Sequence, residues 1–514
     1  MILNFYQASN IPFGGLSFAI PLLLLLLLLG NRVRACYKPG LRSLPGPFIA
    51  SVTNLWRLVD VARGNHHDTL INLHRKYQSK LVRIGPNAVS VADPEAVRII
   101  YGLKSGFIKT DFYTVQQSLS QGRPLENLFN TRNEDFHAAI RRPIANAYSM
   151  TTLLKYEPFV DTTSRVFLQR LNELYGDTGK ACDLGTWLQY YAFDVIGEMT
   201  FSKRLGFLET GSDVGGIIKD LEWRLNYFAW CGQIPILDKF LVKSPIAVRM
   251  MPSNHVVKFT LDLVNDRLAH PSERQDFLDM FLKAKEEHPD LVNDRQVTSY
   301  SVTNIFAGSD TTAISLRSVF YHLLKNPPTL RKVVEEIDSA VDGRDCLQEP
   351  ISFAESNKMP YLQAVLKEAM RVHPAVGLLL ERLVPSGGCK IAGTWLPEGT
   401  TVGIDPWVLH RNKQVYGEDA DVFRPERWLE ADAETLKVMD RSFLAFGSGA
   451  RTCIGRHISM LEMAKIVPQL LWAFELELEN PKASWELHNY WFVRQTGLNV
   501  YLRKRPGRGG YLFA

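Results

Sequence analysis

Paired cysteines are missing from this chain. Its six, Cys36, Cys182, Cys231, Cys346, Cys389 and Cys453, are scattered, and no two stand in a CxxC spacing. Zinc ribbons and thioredoxin-type redox motifs are thereby excluded. So few unpatterned thiols in 514 residues fit a reducing compartment, where one can act as a thiolate. Charge of one sign is also scarce. The 59 basic and 54 acidic side chains leave a formal net charge of +5, too little to imply nucleic acid. No arginine-rich block or helix-turn-helix pattern argues otherwise. Repeats, low-complexity tracts and a dinucleotide fingerprint are absent. No long linker divides residues 48–514, which read as one domain. Hydrophobic residues at 46% and charged residues at 22% suit a sizeable core.

What is present begins at the amino end. Ile11 to Gly30 is almost wholly apolar and contains the run Leu22 to Leu29. About 20 apolar residues cross a bilayer as a helix, and Pro21 would kink it. Arg32, Arg34, Lys38 and Arg42 follow, and no charge precedes. The positive-inside tendency then places residues 1–10 in the lumen, 11–30 as a transmembrane anchor and the remainder in the cytosol. A cleaved secretory signal would need a basic residue ahead of the apolar core. Residues 31–47 are basic and end in Leu44-Pro45-Gly46-Pro47, a stiff hinge.

The remainder predicts a mainly α protein with small β-sheets at the edge. Apolar residues recur at three and four spacing over Asp161 to Leu174, Val297 to Lys325, Thr329 to Val341 and Pro360 to Val372. Strand signals cover Leu81 to Ile84, Ala88 to Val91, Gly388 to Trp395 and a stretch near Phe492 to Leu502. Arg503 to Gly509 reads as a frayed basic tail.

The most informative stretch is Phe446-Gly447-Ser448-Gly449-Ala450-Arg451-Thr452-Cys453-Ile454-Gly455-Arg456. Gly447, Gly449 and Gly455 permit a tight loop and close approach of a flat cofactor. Cys453 stands where that loop enters a helix from about Ile454 to Phe474. A helix amino terminus stabilises a thiolate, and its amides can tune a metal-bound sulfur. A lone cysteine in a glycine-rich turn is more often structural. The full spacing of Phe, Gly, Arg, Cys and Gly outweighs that reading.

This stretch resembles the haem-binding signature of the cytochrome P450 family, with every defining position present. The resemblance implies the cytochrome P450 fold and haem b, with Cys453 as the axial thiolate ligand that favours O–O cleavage. It further implies that Phe446 packs beside the sulfur, that Gly449 and Gly455 shape the haem loop, and that Arg451 meets a propionate.

Phe306-Ala307-Gly308-Ser309-Asp310-Thr311-Thr312 sets poor helix formers in mid-helix. The pattern predicts a locally opened hydrogen-bond ladder, with Asp310 and Thr311 relaying protons. It resembles the family's oxygen-activation motif, in which Ala307 and Gly308 leave room for oxygen and substrate. Glu368 and Arg371 lie on one helical face. With Arg427 they resemble the family's structural Glu-Arg-Arg cluster. His137 and Arg141 resemble a propionate-binding position that more often carries Trp in place of His. Arg382, after the expected pocket segment Ala375 to Leu380, is by resemblance a further propionate contact. Leu188 to Phe201 and Gly232 to Pro235 resemble fungal secondary-metabolism members such as the pisatin demethylase group.

The resemblance implies a membrane-bound monooxygenase of the endoplasmic reticulum. It would insert one oxygen atom from O2 into an apolar small molecule, such as a terpenoid, polyketide or alkaloid. Electrons would come from NADPH through a separate cytochrome P450 reductase, with Arg142, Arg451 and Arg456 as a basic docking face. Rival readings are a haem-thiolate isomerase or dehydratase that needs no reductase, a catabolic hydroxylase or demethylase, and a non-catalytic haem carrier. The candidate pocket aromatics are Phe112, Phe201, Phe207, Phe228, Trp230, Phe306, Trp491 and Phe492.

Overall fold

The architecture, taken from a computed structural model, is described for residues 30, 37–117, 119–120, 123–250, 255–343 and 350–509. Almost all of the expected anchor, 11–30, and the first part of the hinge lie outside the described residues. Among those that are described, no helix is long and apolar enough to cross a membrane.

One helix, Asp294–Lys325, organises the rest. Its 32 residues extend about 48 Å at 1.5 Å per residue. Asn293 starts it, its side chain accepting from the Gln296 amide at 3.2 Å. Asn326 ends it because Pro327 follows and disfavours helical backbone at the preceding residue. Against it lies Leu184–Phe201, which is apolar on nearly every face and buried along almost its whole length. Glu157–Tyr175 and Arg456–Ala473 complete the principal core. Pro360–Val372 packs on the same central helix.

The sheets lie at the periphery. The largest has five strands in the order Leu81–Gly85, Ala88–Val91, Thr401–Gly403, Arg382–Leu383, Ile108–Lys109. A three-stranded sheet joins Phe474–Leu478, Asn499–Lys504 and Cys182–Asp183. Glu486–Tyr490 and Phe492–Thr496 form a hairpin whose tip is Trp491, buried and at φ 78°. An aromatic residue in the left-handed region is an outlier held by its surroundings.

The mainly helical architecture with small sheets agrees with the sequence expectation. The expected strand near Phe492 to Leu502 is two strands, because Gly497 at φ 89° breaks it and sends the halves to different sheets. Gly388 to Trp395 is likewise a hairpin of Cys389–Ile391 and Thr394–Leu396. The carboxyl tail is pinned as far as residue 509, not frayed. Arg505 grips Asp338 at 2.6 and 2.9 Å, and Arg508 pairs with Asp342.

Asp194 shows how a buried charge fixes a loop. Its carboxylate accepts from the amides of Leu205, Gly206, Phe207 and Leu208 at 2.8 to 3.3 Å. Burial pushes its pKa up to about 6, with the amides opposing. Asp194→Ala strands four amides and should cost about 3 kcal/mol or more. Denaturant unfolding checks the magnitude, and hydrogen exchange at residues 205–208 checks the location.

Candidate functional site

The cysteine loop is built by backbone geometry. Gly447 and Gly449 adopt φ 68° and 67°, which favours glycine. A Cβ on Gly449 would also collide with the Tyr101 carbonyl oxygen. Gly455, by contrast, has φ −83°. The Cys453 amide donates to the Phe446 carbonyl at 2.8 Å, which closes the loop. Helix Arg456–Ala473 starts immediately afterwards. Burial pushes the Cys453 thiol up, while the Gly455 amide, the Arg141 guanidinium and the Arg456 amide pull it back. The Gly455 and Arg456 amides at the start of the helix thus favour the thiolate against burial.

By surface area Cys453 is exposed, yet protein surrounds it closely enough to desolvate it. Such a side chain stands on the wall of an internal space. Ala307 shows the same contradiction: it is exposed midway along the central helix, between the buried Ile305 and Ser309. Gly308 packs on Ile196, where a Cβ would sit 3.0 Å from that side chain.

Buried positive charge is in surplus beside this space. Arg382 and Lys109 are direct cross-strand partners, both buried. Like charges opposite one another are destabilising unless an anion joins them. Burial holds Lys109 well below its ordinary value, and Arg382 and Arg451 add to that. His137 is pushed down to about 3, first by burial, then by Arg451, Arg141, Lys109 and Arg382. It is neutral at physiological pH. Arg141 donates to the Thr452 carbonyl at 3.2 Å. Arg451 forms a two-point pair with Glu134 at 2.9 Å. Among the described residues, Glu134 is the carboxylate that opposes these effects at Lys109. A sulfur donor, a cavity and converging cations fit a flat, dianionic, metal-centred group such as haem b. Cys453 would ligate the metal. Arg141, Arg382, Arg451 and Lys109 would hold the anionic edge, with His137 as a neutral donor.

The central helix differs from expectation. It runs unbroken through Ala307, Gly308, Asp310 and Thr311, and the Thr311 hydroxyl donates to the Ala307 carbonyl at 2.8 Å. The ladder is supplemented there, not opened. Asp310 is buried and turned away from Thr311, accepting a hydrogen bond from Gln189. Burial pushes its pKa up to about 6, opposed by Arg317 and the Gln189 bond. Arg317 in turn donates to Gln189 at 2.9 Å.

The structure brings Glu368, Arg371 and Arg427 together. Arg371 donates twice to Glu368 at 2.8 Å, and Arg427 donates once at 2.9 Å. Burial disfavours the ionised Glu368, but Arg371 and Arg427 hold it below the usual carboxylate range. Trp428 and the Arg424 amide complete its shell at 2.8 and 2.9 Å. Arg371 also donates to the carbonyls of His410, Ala420 and Val422, which ties the segment before the cysteine loop to its helix.

Arg451 does not join the expected docking face: its side chain is buried on Glu134, while Arg142 and Arg456 are exposed. Of the pocket aromatics, Phe228, Phe306, Trp491 and Phe492 line a cavity of about 310 Å³ that reaches Ala307. Phe112 and Trp230 pack behind that wall. Phe201 and Phe207 belong to the principal core instead, Phe207 stacking on Phe193. Lys109, Gln189 and Trp428 were missed from sequence, because only long-range pairing places them here.

A family model described as Cytochrome P450 matches residues 45–500. The chain is 42% identical over 475 residues to "Cytochrome P450 monooxygenase cicH" of Emericella nidulans, covering 91% of this chain and 94% of that protein. It is 37% identical over 485 residues to "Cytochrome P450 monooxygenase asR2" of Sarocladium schorii, with coverages of 91% and 93%. It is 38% identical over 484 residues to "Cytochrome P450 monooxygenase mpaDE" of Penicillium roqueforti, covering 92% of this chain but 56% of that longer protein.

Glu368→Ala leaves two buried guanidinium groups without their carboxylate, a loss of about 3 to 5 kcal/mol. Thermal unfolding should show it, together with a fall in the fraction of purified protein carrying haem.

Proposed function

Because the chain belongs to the cytochrome P450 family and is a monooxygenase, we propose that it inserts one oxygen atom from O2 into a C–H bond of an apolar small molecule of fungal secondary metabolism. The observation that carries this reading is the Cys453 sulfur, facing the Gly455 and Arg456 amides on the wall of an internal space. Haem, when bound, supplies the oxygen-activating iron and the redox capacity. The chain's own residues do the remainder. The two amides limit how strongly the sulfur donates. Ala307 leaves room at the cavity wall it lines, and Gly308 lets the helix pack closely on Ile196. Thr311 presents a hydroxyl beside Ala307. Asp310, held by Gln189, exchanges protons near neutral pH because burial sets its pKa at about 6.

Electrons would come from NADPH through a separate reductase, docking at exposed residues such as Arg142 and Arg456. Attachment to the endoplasmic reticulum membrane fits the apolar run 11–30. The exposed Phe48, Ile49, Leu55 and Val59 that follow it support this placement, as do the exposed Phe240 and Ile246. Arg57, between the first four, donates to Gln233 at 2.9 Å, just ahead of the segment bearing the last two. An isomerase or dehydratase of the same fold would turn over without NADPH. The acid and alcohol at Asp310 and Thr311 favour the oxygenase.

Spectra, turnover and peroxide yield check this reading. Cys453→Ser should abolish both the thiolate-specific absorption of the reduced protein with carbon monoxide and the oxygenase activity. Wild-type turnover should inflect near pH 6: Asp310 is neutral below that point and charged above it. Asp310→Asn should remove the inflection, and Thr311→Ala should divert reducing equivalents to peroxide.

A further inference from the structure

We propose that Gln189 and Arg317 are positioning residues for the acid at Asp310, the Gln189 carboxamide bridging the two buried charges and carrying the influence of the cation to the acid. The bridge sets the pH at which Asp310 exchanges its proton. This rests on the reading of Asp310 as a proton-exchanging group.

Asp310 and Arg317 stand about two turns apart on the central helix, and so share a face. That face packs on helix Leu184–Phe201, which carries Gln189. All three side chains are buried. Gln189 donates through Nε2 to the Asp310 carboxylate. Its Oε1 accepts from Arg317 Nη2 at 2.9 Å. The charges fix which way the amide points. Turned over, it would aim its carbonyl at a carboxylate and its N–H at a guanidinium. A second bond holds the cation: Arg317 Nε donates to the Gly185 carbonyl at 2.8 Å. Gly185 lies one turn before Gln189 on the same helix. A Cβ there would sit 3.2 Å from Arg317 Nε, so the missing side chain makes room for the guanidinium. Asp310 and Asp183 both stabilise the charge of Arg317 against burial.

The interposed amide decides how the acid behaves. In direct contact, an arginine holds a carboxylate ionised, roughly 1 to 3 pH units below its ordinary value. With no partner at all, burial keeps a carboxyl protonated. The amide gives Asp310 an intermediate setting: one hydrogen bond to the charged form, and a cation held one side chain away. Burial then dominates without going unopposed, and the carboxyl titrates at about 6. Among the described residues no other charge acts on Asp310. Charged groups on the elements packed against the central helix are answered elsewhere. Loop amides answer Asp194, and Arg274 answers Glu198. Arg267 pairs with Asp279, Arg371 and Arg427 with Glu368, Lys465 with Glu157, and Arg494 with Glu222. Burial holds Glu462 neutral.

The test follows Asp310 itself in the full-length holoenzyme. Infrared difference spectra recorded against pH show the carbonyl band of a protonated carboxyl, and the band lost in Asp310→Asn belongs to this residue. In wild type it should titrate near pH 6. Gln189→Leu removes a hydrogen bond to the charged form, so the acid keeps its proton longer and the midpoint should rise by about one pH unit. Gln189→Met, closer in shape, repeats the measurement with less disturbance of packing. Arg317→Met removes the cation and should also raise the midpoint. The double variant should move it by less than the sum of the two shifts, because the cation acts through the amide. An unchanged midpoint in either single variant overturns the proposal, even where turnover falls equally at every pH, since the side chains then serve packing alone. Fully additive shifts overturn it too, since the residues then act on the acid independently. Turnover is measured separately across the same pH range. If the band shifts as stated while wild-type turnover stays flat, the bridge stands and the proton-exchange reading of Asp310 fails.

Discussion

A sulfur atom held against two backbone amides is the constraint on which the rest of this structure depends. A thiolate in a low-dielectric interior is unstable unless something answers its charge. Here the answer is partial by construction. Burial raises the Cys453 thiol, and the amides of Gly455 and Arg456, with Arg141, only oppose it. For the amides to point at the sulfur, the loop must close through the Cys453 to Phe446 hydrogen bond. It must also turn at Gly447 and Gly449 with left-handed backbone. It must then enter helix Arg456–Ala473 without a break. Each requirement removes freedom from the chain in front of the loop.

That freedom is removed by the Glu368 cluster. Arg371 and Arg427 spend only part of their donors on the carboxylate. The others reach the carbonyls of His410, Tyr416, Ala420 and Val422. The stretch from His410 to Val422 holds one short helix, Lys413–Tyr416, and its buried carbonyls need partners. Two arginines supply them from fixed helical positions. The ion cluster is thus a splint for irregular backbone. Its value lies less in Coulomb attraction than in giving many orphaned acceptors one rigid source of protons.

Linear spacing made part of this legible. The cysteine loop, the Asp310-Thr311 pair and the Glu368-Arg371 turn are local, so the sequence displays them whole. Their partners are not local. Lys109 meets Arg382 only because two short strands pair, and a two-residue strand has almost no periodicity to read. Gln189 reaches Asp310 because helix Leu184–Phe201 is apolar around its full circumference, which hides which face meets the central helix. Composition misled as well. The hydroxyl and glycine cluster around Gly308 suggested an opened helix, but hydroxyls that bond back to the preceding turn let such residues stay helical. The arginine-rich tail suggested fraying until Asp338 and Asp342 on a neighbouring helix gave it partners.

The two polar regions of the molecule divide the electrostatics between them. Around the cysteine the chain leaves cations in excess, with Lys109 and Arg382 side by side and few carboxylates near. That region is incomplete in charge, and a dianion completes it. In the substrate cavity the charges of Arg224, Lys243 and Asp238 are closed in ion pairs. An anionic ligand gains nothing there that water did not already provide, and it would have to shed its hydration. The separation keeps the strong anion site for the resident cofactor and leaves the substrate to be chosen by shape and by single hydrogen bonds.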